Sequence, residues 1–185
     1  MRLVVYAALA LTVNVAHADP APTAAVIQES LIGHWSGALG YRDYQSNKMF
    51  ELPMRTEIRA VPDGLTFVRT SSFDDGPKVG LVWITSSSLY DPAKNTVTTT
   101  TMRKGRVVET DTDAVTVIFY KDATRWSVRY ERDGTDDDKP ARLRTTETRD
   151  ADTVVAVKEV MPADAKTRGW QFRNQVRLVR MPAAK

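Results

Sequence analysis

The chain has 185 residues, with 26 Lys+Arg, 23 Asp+Glu and no cysteine. The missing cysteine excludes disulfides, thiolate metal sites and a cysteine nucleophile. A net charge of +3, with the two signs interspersed, lacks the electrostatic footprint of a nucleic-acid binder, and the length suits one domain with a sizeable core.

The first segment reads as an export signal. Arg2 precedes an apolar run from Leu3 to Val13, and Ala16-His17-Ala18 has the small-x-small pattern that signal peptidase accepts, with Asp19-Pro20 as a polar exit. The run is shorter than the roughly 20 residues needed to span a bilayer. Residues 1–18 are therefore expected to be cleaved after Ala18, leaving a periplasmic or secreted protein with no integral membrane segment. Losing Arg2 leaves 25 basic against 23 acidic side chains in the mature chain. Residues 19–30 form a lead in which Ala24 to Leu31 can make a helical turn, and residues 31–182 form the folded domain.

From Gly33 onward the dominant period is two, the mark of strands with one face in a core and one in water. Met54, Thr56, Ile58 and Ala60 alternate with Arg55, Glu57 and Arg59; Trp126, Val128 and Tyr130 alternate with charged and small residues. Turn chemistry divides the runs: Pro62-Asp63-Gly64, Asp74-Asp75-Gly76-Pro77, Asp91-Pro92, Lys104-Gly105, Asp122-Ala123 and Asp133-Gly134. Strands are expected near 33–43, 51–61, 64–73, 79–89, 95–103, 106–119, 124–132, 141–149, 153–161 and 169–180. A long loop holding Asp136-Asp137-Asp138 is expected between the seventh and eighth. Hairpin connections throughout imply an all-β, up-and-down antiparallel barrel of about ten strands, with a β-sandwich as the competing architecture.

Gly33-x-Trp35 at the first strand and Trp170…Arg177-Leu178-Val179-Arg180 at the last resemble the ends of lipocalins and of related calycin-type barrels. The nearest likeness is to exported bacterial lipocalin-like proteins of unknown function. In a closed meander the first and last strands pair antiparallel, so Trp35 is expected beside Leu178 to Met181. The resemblance implies that an arginine packs across the buried tryptophan; Arg180 continues the inward series Trp170, Phe172, Asn174, Val176 and Leu178, and Arg177 serves if a bulge shifts register. Gly33, Trp35 and Arg180 are on this reading structural, closing the barrel floor.

The candidate chemistry lies elsewhere. His34, next to Trp35, is expected to face outward, and with no second histidine in the mature chain a zinc site fails. The aspartates at 111, 113 and 136–138 lack calcium-loop spacing and read as solvated turns. No cofactor, metal site or catalytic residue is identified. Ligand-binding candidates are the polar or aromatic residues on inward series or near the mouth: Arg69, Glu147, Asn174, Tyr41, Trp83 and Tyr130, with Arg42, Asp43 and Tyr44 beside Tyr41. A buried Arg69 or Glu147 would be tolerated if the two pair with each other or meet a charged ligand. Phe67, Trp83, Trp126 and Phe172 are expected inside as apolar lining.

Three functions fit these residues: a module holding a small, partly apolar molecule inside the barrel, an enzyme using Arg69, Glu147 and Tyr130 for acid–base chemistry, or a non-catalytic envelope interaction or scaffold protein. An interior volume of about 300 Å³ or more would favour the first.

Overall fold

The computed structural model describes residues 22–43, 46, 48–164 and 169–182. The expected leader and Tyr44 lie outside them. A six-residue helix, α1 (Ala24–Glu29), is followed by β1 (Gly33–Asp43), β2 (Lys48–Ala60), β3 (Thr66–Asp74), the helical turn α2 (Gly76–Val79) and β4 (Leu81–Asp91). Then come β5 (Thr96–Arg103), β6 (Glu109–Asp122), β7 (Arg125–Asp136), β8 (Lys139–Asp150), β9 (Thr153–Pro162) and β10 (Gln171–Arg180). Each strand pairs antiparallel with its neighbours in sequence, and β10 pairs with β1. The protein is an all-β, closed up-and-down barrel of ten strands, as the alternation and turn spacing predict.

One end of the barrel is closed by α1. Its Ala25, Ile27 and Gln28, with Leu31 after it, are buried among the inward residues Trp35, Ile58, Phe67, Tyr90, Val97, Val115, Trp126, Val128, Val154 and Leu178. Burying a large apolar side chain contributes about 1.5–3 kcal/mol, so this cluster carries much of the stability of a chain without disulfides.

Trp35 organises the floor. It stands opposite Arg180 in the β1–β10 pairing, and the Arg180 guanidinium lies 4.3 Å from its ring centroid. Trp35 Nε1 donates to Leu31 O at 2.8 Å; Arg180 donates to Ile32 O at 2.9 Å and Ser30 O at 2.6 Å. A second arginine, not foreseen, joins it: Arg149 sits 5.6 Å from the Trp35 ring and donates to Ser30 O, Ala123 O and Ala151 O. Burial and the neighbouring Arg180 charge lower the pKa of Arg149. Gly33 has φ of 128°, where a Cβ would meet Arg180 Nη1 at 3.0 Å. Gly37 is required for a different reason, since a Cβ there would fall 1.9 Å from the Arg177 carbonyl oxygen across the seam.

Three turns at the α1 end are built around an aspartate. Asp63 accepts from Leu65 N, Thr66 N and Thr66 Oγ1; Asp91 accepts from Ala93 N and Lys94 N; Asp122 accepts from Thr124 N and Oγ1. Side-chain hydrogen bonds hold all three carboxyls below the usual aspartate value, with Thr66, Lys94 and Thr124 as the leading donors. A depressed folded-state pKa makes this stabilisation fully present above the unfolded value near 4 and lost as pH falls through the lower folded value. Urea midpoints are therefore expected to drop between pH 5 and pH 2 by less in an Asp63→Asn, Asp91→Asn, Asp122→Asn triple variant than in the parent. Equal drops would show that these turns do not set the acid limit.

Three sequence expectations need correction. The long loop between β7 and β8 is a tight turn, because the strands run on to Asp136 and from Lys139, and Asp137 and Asp138 take left-handed φ values of 53° and 59° that aspartate tolerates. Trp83 faces outward and is 57 % exposed. Inward on β4 are Val82, Ile84, Ser86, Ser88 and Tyr90, set by pairing with Phe73, Ser71, Arg69 and Phe67. Finally, the inward series of β10 is broken by a register shift between Phe172 and Asn174. The bulge turns Phe172 to the face of its partner Glu159, and Trp170 packs on Arg144 at 4.0 Å on that same outer face.

Candidate functional site

Above the floor the interior holds a cavity of about 240 Å³. Its polar wall is built by β3 (Arg69), β4 (Ser86, Ser88, Tyr90), β5 (Thr99), β6 (Asp113), β7 (Tyr130, Arg132) and β8 (Thr145, Glu147), with Gln28 entering from α1. Ile58, Phe67, Val97 and Ala156 make the apolar remainder. These residues share the inward face because strand side chains alternate and the register from β2 to β9 is broken only in β6–β7, between Val117 and Phe119 and between Tyr120 and Asp122, outside the cavity residues.

The Arg69–Glu147 pairing expected from sequence is formed. Arg69 Nη2 donates to Glu147 Oε1 at 3.1 Å across the barrel. Burial works against the Arg69 charge, but the facing Glu147 carboxylate more than offsets it and the pKa of Arg69 is raised. Gln28 Nε2 donates to Glu147 Oε2 and to Tyr130 Oη, each at 2.8 Å, and Tyr130 Oη lies 3.2 Å from Tyr90 Oη. Burial raises the pKa of both tyrosines, so both phenols stay protonated and available as donors at neutral pH. The chain Arg69–Glu147–Gln28–Tyr130–Tyr90 is one connected polar network, and a connected network in low dielectric is held rigidly.

A second polar set reaches the same cavity. Arg132 donates to Asp113 at 3.0 Å and to Asp111 at 2.9 Å. The carboxylates at 111 and 113 are thus partners of an inward arginine and not a solvated turn. On the adjoining strands Ser88 Oγ lies 2.9 Å from Thr99 Oγ1, and Thr99 stands opposite Asp111.

The other candidates are dispersed. Tyr41 is on the inward face but higher up, where it lines a separate pocket of about 90 Å³ with Leu39, Leu52, Phe73, Val82, Ile84 and Arg103. Burial raises its pKa, with Arg103 acting against the rise. Asn174 pairs with Tyr41 and Lys158 and does not line the 240 Å³ cavity. Trp83 faces away from both. His34 lies on the outer face, 3.8 Å from Glu57. Among the described residues no cluster of His, Cys, Asp and Glu could hold a metal ion.

Sequence reasoning missed Gln28 and Arg132. The signal for Gln28 was present: it lies three residues from both Ala25 and Leu31, the spacing of one helical face. Arg132 continues the inward series Trp126, Val128 and Tyr130 by strict alternation.

No family model matches the sequence, and no curated protein matches it. Thirteen chains of solved structures do. One is the crystal structure of Rv2717c from M. tuberculosis, with a TM-score of 0.57 and 16 % identity, covering 87 % of this chain and 100 % of that one. At that identity the likeness shows the fold alone.

Proposed function

We propose that this protein is an exported, lipocalin-like barrel of calycin type that binds a small, partly apolar molecule in its interior. The carrying observation is the 240 Å³ cavity in which polar groups from α1 and from β3 to β8 converge, with Ile58, Phe67, Val97 and Ala156 as apolar lining among them. An apolar pocket with a few placed polar groups is the usual form of a small-molecule site. The volume falls short of the roughly 300 Å³ at which drug-sized sites begin, so the ligand is smaller than those. Tyr90 and Tyr130 offer hydroxyl donors, Ser86 and Ser88 offer either sense, and Arg69 or Arg132 would meet a carbonyl or carboxylate. Candidate ligand contacts are Arg69, Glu147 and Tyr130; Tyr41 and Asn174 belong to a second, upper group.

The enzyme reading requires Arg69, Glu147 and Tyr130 to converge, and they do through Gln28. Glu147 already accepts from two donors, however, and Tyr130 holds its proton firmly. That arrangement suits recognition better than proton transfer.

The test is native mass spectrometry of protein recovered from its own compartment, with Asp19 as the expected first residue. A bound small molecule is expected, and Ser88→Leu, which fills the cavity from β4, should weaken it at least about ten-fold, a loss of some 1.4 kcal/mol. A bare mass together with an unchanged melting temperature across a metabolite library would overturn the proposal.

A further inference from the structure

The charges in the interior cavity are already matched. Arg69 faces Glu147 and Arg132 faces Asp113, and these four are the charged residues of the lining. Just beyond it Asp111 shares Arg132. Lys158, paired with the lining residue Thr145 and so on the same face, supplies the balancing positive charge. Tyr90 and Tyr130 are neutral phenols. A charged ligand would leave this interior with an unbalanced charge out of water, which is strongly disfavoured.

The hydrogen-bonding groups are not matched. Arg69 donates from Nη2 to Glu147, and among the described residues nothing accepts from its Nε or Nη1. Those nitrogens are not sealed off, because among the described residues the buried side-chain atom without a partner is Arg129 Nε. Arg69 lines the cavity and keeps a third of its side-chain surface accessible, so its free N–H groups are offered to whatever fills the space. The phenols add one more donor. Gln28 donates to Tyr130 Oη and one phenolic proton lies between Tyr130 and Tyr90, which leaves the other without an acceptor. Against these stands the amide oxygen of Gln28. The hydroxyls of Ser86 and Thr145 serve either sense, and the carboxylates of Glu147 and Asp113 already accept. Free donors exceed free acceptors.

We propose, resting on the reading of the interior as a binding site, that its ligand is an uncharged carbonyl compound (a ketone, ester or lactone) whose oxygen accepts from Arg69 while its apolar body lies against Ile58, Phe67, Val97 and Ala156. A carboxylate would compete with Glu147 for the same guanidinium and add a negative charge to a balanced interior. An amine would set a cation near Arg69. A hydrocarbon would fill the space but strip the Arg69 donors of water and give nothing back. At roughly 30 Å³ per water molecule, 240 Å³ holds about eight waters, so the ligand has on the order of eight to ten non-hydrogen atoms.

Four ring compounds of that size separate these cases: acetophenone with its carbonyl, benzoate, the hydrocarbon cumene and benzylamine. Each is titrated calorimetrically into the full chain after bound small molecules are stripped by dialysis. Acetophenone is expected to bind at least about ten-fold more tightly than the other three, the margin of one hydrogen bond from a charged donor. That lead should vanish in the Arg69→Met, Glu147→Met double variant, with cumene then binding as well as acetophenone. Ser88→Leu should weaken acetophenone by reducing the space. The ranking of the four in the parent decides by itself should a variant unfold. Tighter binding of benzoate or benzylamine, or equal binding of cumene, overturns the inference while leaving the interior a binding site of another preference. Acetophenone binding that survives both variants unchanged also overturns it, because it marks a site elsewhere. Binding of none of the four overturns both this inference and the reading on which it rests.

Discussion

Trp35→Ala is expected to lower the unfolding free energy by about 5 kcal/mol, at the upper end of the 3–5 kcal/mol typical for removing a buried large aromatic. The ring is fully buried. Its loss leaves a cavity among Ile27, Leu31 and Leu178, an unpartnered Leu31 carbonyl, and two arginines with nothing to pack on. Cation–π contact adds about 1–2 kcal/mol when desolvated, so Arg180→Gln should cost less than Trp35→Ala while still weakening the seam through the lost bonds to Ser30 and Ile32. Marginal stabilities of about 5–15 kcal/mol leave little margin for the alanine variant. Urea denaturation followed by near-ultraviolet circular dichroism decides the matter. A loss under about 1 kcal/mol would mean that the floor is not held by the tryptophan.

The second large effect is expected inside the cavity. Arg69→Met leaves the Glu147 carboxylate buried with only Gln28 beside it. Removing one partner of a buried pair costs about 3–5 kcal/mol; the Arg69 side chain keeps a third of its surface accessible, so about 3 kcal/mol is expected. The double variant Arg69→Met, Glu147→Met should recover most of that loss, because replacing both charges by apolar groups is often neutral. A double-mutant cycle measures the coupling. Additivity within about 0.5 kcal/mol would show that the two side chains act independently. The cycle also separates stability from recognition, since the double variant folds yet lacks both groups proposed to face the ligand.

The architecture was legible because it rests on local chemistry. Period-two alternation and Asp–Gly or Asp–Pro turns specify hairpins one at a time, and a row of hairpins closes with its first strand beside its last. The seam followed from Trp35 and Arg180 for the same reason. Arg69 was found because it interrupts the inward row Leu65, Phe67 and Phe73, and Glu147 because it shares a face with Leu143 and Thr145; a buried charge of either sign needs a partner. Trp83 went wrong because Leu81 and Trp83 are as apolar as Val82 and Ile84, so the pattern of β4 cannot say which set faces inward; only pairing with Phe73 on β3 decides. Phe172 went wrong because one bulge reverses every side chain before it, and nothing local to Gln171–Asn174 announces it. Gln28 was missed because its partners stand 102 and 119 positions away.

The Arg180 guanidinium reaches Ser30, 150 positions earlier in the chain. Synthesis proceeds from the amino end, so α1 and β1 exist long before the strand that completes them. Until β10 is made, Trp35 has no guanidinium over it and one edge of β1 has no hydrogen-bonding neighbour, a template for pairing with other chains. Closing the β1–β10 seam over so long a separation costs more chain entropy than any of the hairpins, which makes it the slow step. Nascent protein is therefore most exposed to aggregation just before its last strand is delivered, and truncation short of Arg180 would leave every shorter product with an open seam.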